Sequence, residues 1–227
     1  MKTLRTLLTI AVVCALLLVS GCALLPSILH TLNPGVIYRV PNAEHTLFLT
    51  LDDGPSDATP LILEVLMKHD VHATFFVITD HIQPALLGRI ISEGHQIAHH
   101  MKTSASLGRL SDVQFQEEFL AADKALTAFP HAKFFRPPGG SISKERADFV
   151  HAQGYQIVVG TVFPLDHWLE NKTLVEGLIK ALVVDGGIII LHDTPTRGPR
   201  TAAVLDELLP QLKQKGYRFA LLPEPKP

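Results

Sequence analysis

From Val36 onward, short apolar runs alternate with longer segments whose apolar residues recur every three to four positions. Seven runs have strand length: TLFLTLD (46–52), ATFFVIT (73–79), HQIAHH (95–100), AKFFRP (132–137), YQIVVGTV (155–162), GIIILHD (187–193) and YRFALL (217–222). Between them, helical periodicity predicts helices over 59–69, 82–93, 111–129, 143–153, 172–183 and 200–215. Thr59 followed by Pro60 reads as a cap and a first helical position, and Ser111-Asp112 as a second helix start. Nearly continuous apolar strands are buried on both faces, so the alternation predicts an α/β fold: a parallel sheet covered by helices. Seven such strands either close into a barrel or lie open as a doubly wound sheet, and the pattern leaves both open. No repeat, low-complexity block or linker interrupts it, so one domain is expected over 36–224.

Ionisable residues gather where the strands end. Asp52-Asp53 closes the first, His99-His100 the third, and the fourth runs into RPPGG, the fifth into PLDHW and the sixth into LHD. In parallel α/β folds the C-terminal ends of the strands build the active site. Adjacent carboxylates repel, so Asp52 and Asp53 need separate stabilising partners. A capping pair in the turn before Thr59 is the plainer alternative.

Composition narrows the picture. The 227 residues are 47% hydrophobic, enough for one full core. A formal charge of −2 without a Lys/Arg block argues against nucleic acid as a partner. Both cysteines, Cys14 and Cys22, stand near the start, so the body of the chain holds no disulfide.

The first residues look like a leader rather than part of the fold. Lys2 and Arg5 precede an uncharged, almost wholly apolar stretch from Leu7 to Val19, shorter than the roughly 20 residues of a membrane span. The ending LVSGC resembles the bacterial lipobox, which implies a signal peptide over 1–21, acylation of Cys22 and a tether over 22–35. An uncleaved anchor and an ordinary signal with an incidental cysteine are the alternatives. The lipoprotein reading places the domain in the bacterial cell envelope, lipid-anchored to a membrane and facing the periplasm or exterior.

Taken in order, these motifs resemble the polysaccharide deacetylase family, the NodB-like carbohydrate esterases, over roughly 36–222. The family's T-F-D-D-G-P is similar to Thr50-Leu51-Asp52-Asp53-Gly54-Pro55, its R-P-P-Y-G to Arg136-Pro137-Pro138-Gly139-Gly140, and its L-H-D to Leu191-His192-Asp193. ATFFVI and GHQIAHH match two further family segments. The resemblance implies a distorted (β/α) barrel of about seven strands and metal-assisted hydrolysis of N-acetyl groups on a polysaccharide. Asp52 would be the catalytic base, with Arg136 beside it, and Asp53 a ligand of a divalent metal, zinc being the expected one. The backbone N–H of Gly139 would stabilise the oxyanion although the family's tyrosine is missing there. His192 would protonate the departing amine, oriented by Asp166, with Asp193 also close in sequence.

The second metal motif departs from the family's N-H-[S/T]-x-x-H. Alignment on GHQIAHH makes His100 the first ligand and puts Ser104 where the second histidine belongs. A serine hydroxyl is a poor zinc ligand. His99 is the alternative to His100, although along a strand His95 and His99 share the face opposite to His100. Two ligands completed by water, a ligand recruited from elsewhere and a site that no longer holds metal all fit. Trp168 either lines a sugar pocket or packs in the core. Two functions follow: an enzyme acting as a monomer on an N-acetylated polysaccharide, or a non-catalytic envelope lipoprotein that binds glycan. The presence of Asp52, Arg136 and His192, which mere binding does not require, favours the enzyme.

Overall fold

The computed structural model describes residues 33, 35–104 and 107–224. The leader, Cys22 and the tether up to residue 32 lie outside the described residues. No helix among the described residues is long and apolar enough to cross a membrane.

Eight parallel strands form one sheet in the order β1-β6-β5-β4-β3-β2-β7, with β8 also paired to β2. They are β1 (Val36–Ile37), β2 (Thr46–Asp52), β3 (Thr74–Val77), β4 (Gln96–His99), β5 (Phe134–Phe135), β6 (Gln156–Val158), β7 (Ile188–His192) and β8 (Arg218–Ala220). The ladder does not close between β1 and β7. Two isolated bridges, Val162–Ile189 and Arg39–Gly187, join those ends, as expected of a distorted barrel. One strand, β1, exceeds the seven read from the sequence, because only pairing with β6 makes so short a run a strand.

The helices are α1 (Thr59–Lys68), α2 (Pro84–Ser92), α3 (Asp112–Leu126), α4 (Lys144–Ala152), α5 (Lys172–Leu182) and α6 (Gly198–Gln214). All six stand where periodicity puts them. Ser111 caps α3 through a reciprocal box with Gln114. The expected Thr59 cap is a correction: α1 starts after Ala58 without a side-chain cap. The Thr59 hydroxyl instead donates to Asp193 Oδ2 at 2.6 Å.

Every residue of β2 is buried, and its alternation serves two layers. Leu47, Leu49 and Leu51 pack on α1 and α6 through Ile62, Leu66, Leu205 and Leu208. The opposite, inner face carries Phe48, joined by Phe76, Phe134, Val158 and Ile188 in an apolar plug. Thr50 and Asp52 continue that inner face, so the polar groups sit at the C-terminal mouth, above a dry floor. The expected fifth strand is interrupted: β6 stops at Val158, and Gly160 turns at φ +96°. A Cβ on Gly160 would stand 3.2 Å from the Ile188 carbonyl oxygen, so this close approach to β7 requires glycine.

Candidate active site

The strand register sets the site. Asp52 lies opposite His192 on β7 and opposite Phe76 on β3, while His99 is level with Phe135, one residue before Arg136. Asp52, Asp53, His100, Arg136 and His192 thereby converge on a cleft of about 690 Å³.

Asp52 and Arg136 form a buried ion pair. Arg136 Nη1 donates to Asp52 Oδ1 at 2.6 Å and to Thr50 Oγ1 at 2.7 Å, and Nε donates to the Val158 carbonyl at 3.1 Å. Its guanidinium lies 4.0 Å over the Phe76 ring. These contacts hold the arginine rigid and keep one Asp52 carboxylate oxygen off the pair.

Asp53 turns away from Asp52 at φ +73°, a left-handed conformation that sends adjacent carboxylates in different directions. His81 Nδ1 meets the Asp53 carbonyl oxygen at 2.9 Å. Below, Asp193 accepts from the hydroxyls of Ser56 at 2.8 Å and Thr59 at 2.6 Å, and its backbone N–H donates to the Asp52 carbonyl at 2.8 Å. A Cβ at Gly54 would lie 2.5 Å from Asp193 Oδ2, so the turn closes directly on this carboxyl group. Burial and the nearby Asp53 push Asp193 up to about 6, against the pull of the two hydroxyls.

His100 donates Nδ1–H to the Arg136 carbonyl at 2.8 Å, leaving the Nε2 lone pair 3.5 Å from Asp53 Oδ1. Burial alone would raise the Asp53 pKa, but His100, His192 and Arg197 bring it down to about 2. An imidazole nitrogen and a carboxylate oxygen converging at this spacing suit a divalent cation, so the residues present fit one. Ser104 is exposed on the wall of the same cleft. No third His, Cys, Asp or Glu completes a ligand cluster among the described residues.

His99 does not join them. Its ring stacks on Phe119 at 4.3 Å and meets Phe135 and Tyr155 edge-on, on the outer face of the sheet. Nδ1 accepts from the Met101 N–H at 3.1 Å and Nε2 donates to the Phe119 carbonyl at 3.1 Å. Burial drives its pKa down to about 3. The alternative ligand is thus corrected to a neutral core histidine.

Across the cleft, His192 Nδ1 donates to the Asp166 carboxylate at 2.9 Å, and its backbone N–H donates to the same group at 3.1 Å. Burial disfavours the imidazolium, yet the Asp166 hydrogen bond and charge, with Asp52 and Asp53, raise the pKa of His192 above its ordinary value. Asp166 is therefore the partner, and Asp193 serves the turn beneath. Nε2 of His192 is left for the cleft, whose wall includes that residue.

Gly139 also lines the cleft, at φ +78°, with nothing within 4 Å of where a Cβ would stand. The Gly140 N–H is taken by the Pro137 carbonyl at 2.9 Å. Opposite stand Phe163, His167 and Trp168, with the last two rings 3.9 Å apart and Trp168 73% exposed. Trp168 is thus at the mouth, not in the core. Sequence reasoning missed Arg197 and Phe163 in this wall, since no motif or periodicity marks either.

A family model described as polysaccharide deacetylase matches residues 39–158. This chain belongs to the polysaccharide deacetylase family. A peptidoglycan-N-acetylglucosamine deacetylase of Bacillus cereus is 33% identical over 198 residues, covering 83% of this chain and 92% of the relative. Among solved structures, the Bc1960 peptidoglycan N-acetylglucosamine deacetylase superposes with TM-score 0.78 at 29% identity, over 83% of this chain and 91% of its own. A family 4 acetyl xylan esterase from Clostridium thermocellum, solved with a cobalt ion, superposes with TM-score 0.69 at 29% identity, over 78% and 87%. The polysaccharide deacetylase fold thus extends past the matched segment through β7, which carries His192.

Proposed function

We propose that this polysaccharide deacetylase hydrolyses the N-acetyl amide of N-acetylglucosamine units in an envelope glycan, releasing acetate. The observation that carries this reading is one cleft holding two opposed acid–base pairs, Asp52–Arg136 and His192–Asp166. The substrate class follows the names of the relatives, and the exposed Trp168 ring at the mouth suits the apolar face of a sugar.

Asp52 takes the proton of the attacking water. Arg136 orients the carboxylate, and the buried pair leaves Asp52 no freedom to turn away. The Gly139 N–H faces the oxyanion, at a turn that glycine adopts without strain. His192, whose pKa Asp166 raises, delivers a proton to the departing amine nitrogen. Asp53 and His100 would hold a divalent cation, with zinc the ion best suited to the pair, and when bound it would polarise the acetyl carbonyl and acidify water.

The leader suits export, and acylation at Cys22 would place the catalytic domain beside an envelope glycan. Cys22→Ala should give an unprocessed precursor without labelled fatty acid, and labelling that persists would refute the anchor. Acetate release from N-acetylglucosamine oligomers and from peptidoglycan tests the activity. Tight glycan binding without acetate would favour the non-catalytic reading.

A further inference from the structure

Arg197, the residue preceding α6, lines the cleft but belongs to neither acid–base pair. Its Nη1 stands 3.6 Å from Asp53 Oδ2, with 32% of the side chain exposed. Its backbone N–H donates to Thr194 Oγ1 at 3.1 Å, whereas the guanidinium donates no hydrogen bond to any described residue. Among the described residues, its one polar side-chain contact is the ion pair with Asp53.

The Asp53 carboxylate is therefore shared. Oδ1 faces His100 Nε2 at 3.5 Å, and Oδ2 faces the guanidinium. Only the His100 side offers a lone pair, so a cation must enter there. Once seated on Oδ1 and Nε2 it stands within a few ångströms of a fixed positive charge. An arginine keeps its charge beside the ion and cannot relieve that repulsion by losing a proton.

We infer that Arg197 is a built-in counter-cation for Asp53, which competes with the divalent ion for that carboxylate and sets the metal affinity of the site. This rests on the cation reading proposed above. Two features then lower affinity together: Ser104 supplies no imidazole, and Arg197 supplies a rival charge. Metal occupancy would follow the free metal concentration outside the cell membrane. A doubly charged ion doubles the Coulomb term, so even in a water-like medium at about 4–5 Å the repulsion is worth at least about tenfold in affinity.

Titration of the purified protein with zinc against a chromogenic chelator tests this without reference to catalysis. Arg197→Gln should bind zinc at least about tenfold more tightly than the wild type at low ionic strength. The difference should shrink as the Debye length falls from about 10 Å at 0.1 M to about 3 Å at 1 M salt. Arg197→Lys, which keeps the charge, should stay close to the wild type. Equal or weaker binding by Arg197→Gln overturns the inference alone and makes Arg197 a clamp that positions Asp53. Absence of zinc binding by both proteins overturns the cation site itself, and the inference falls with it.

Discussion

Replacing Asp52 by Asn tests catalysis and architecture together. The substitution preserves size and one acceptor oxygen but removes the charge facing Arg136, whose side chain is 2% exposed. One guanidinium nitrogen, Nη2, is already buried without a partner among the described residues, and the acceptors left to the arginine, Thr50 Oγ1 and the Val158 carbonyl, are neutral. Breaking a buried ion pair by removing one partner costs about 3–5 kcal/mol. The retained Asn oxygen puts Asp52→Asn near the lower end. For a domain of this size, each kcal/mol lowers the melting temperature by about 2–4 °C, so the midpoint should drop by about 6–12 °C. Loss of the general base should slow acetate release by about 10²–10⁴ at a temperature where the variant remains folded. Adding Arg136→Met removes the stranded charge, so the double variant should regain most of the lost stability and none of the activity. Bound metal should be unchanged throughout, because the proposed ligands are Asp53 and His100 and not Asp52. Circular-dichroism melts, metal analysis and acetate assays on the four proteins give the whole cycle. An Asp52→Asn variant that turns over within tenfold of the wild type would refute the assignment of the base. An unchanged melting midpoint would refute the energetics of the pair.

Three further outcomes are expected. Asp166 and the two cleft aspartates raise the pKa of His192, so the general acid is available at low pH and is lost as pH rises through that folded value; Asp166→Asn should move the basic limb of the pH–rate profile downward, and an unmoved limb would dissociate the pair. His99 is held near 3 when folded against about 6.5 when unfolded, so it binds its proton only on unfolding and costs stability as pH falls below about 6.5. His99→Phe should therefore flatten the fall in melting temperature between pH 7 and pH 4, and an equal slope in both proteins would show that His99 is not responsible. Ser104→His adds an imidazole to the cleft wall and should tighten zinc binding at least about tenfold, or 1.4 kcal/mol, by chelator competition; unchanged affinity would mean that position 104 does not reach the cation.

Much of this was legible because strands impose parity. His95 and His99 share one face and His100 the other, so the turn of each ring follows from the position of its residue along β4. Most helix positions were equally readable from a buried apolar stripe, whereas α4 buries Val150 alone and is marked by its Ser143 start. The failures concern groups whose partners are distant in sequence. Thr59 has the chemistry of a cap, yet Asp193, 134 positions away, takes its hydroxyl. The run YQIVVGTV reads as one strand, yet Gly160 breaks it where β7 comes close. Arg197 reveals nothing locally and Trp168 left two readings open, because a cation and an exposed aromatic acquire meaning only from the cleft that they face. Asp166 was the candidate to orient His192 and Asp193 lay closer in sequence, and the fold sends the first to His192 and the second beneath the Asp52–Gly54 turn.

The central claim is that one cleft couples a proton acceptor, a proton donor and a divalent ion in amide hydrolysis. The most direct measurement is acetate released from N-acetylglucosamine oligomers by the purified protein, before and after chelation and again after zinc is restored. The account predicts release that is abolished by chelation and recovered with zinc in the wild type, and that is not recovered in Asp53→Asn. Full activity in metal-free protein would contradict it, as would folded, zinc-loaded protein that releases no acetate from any N-acetylated glycan.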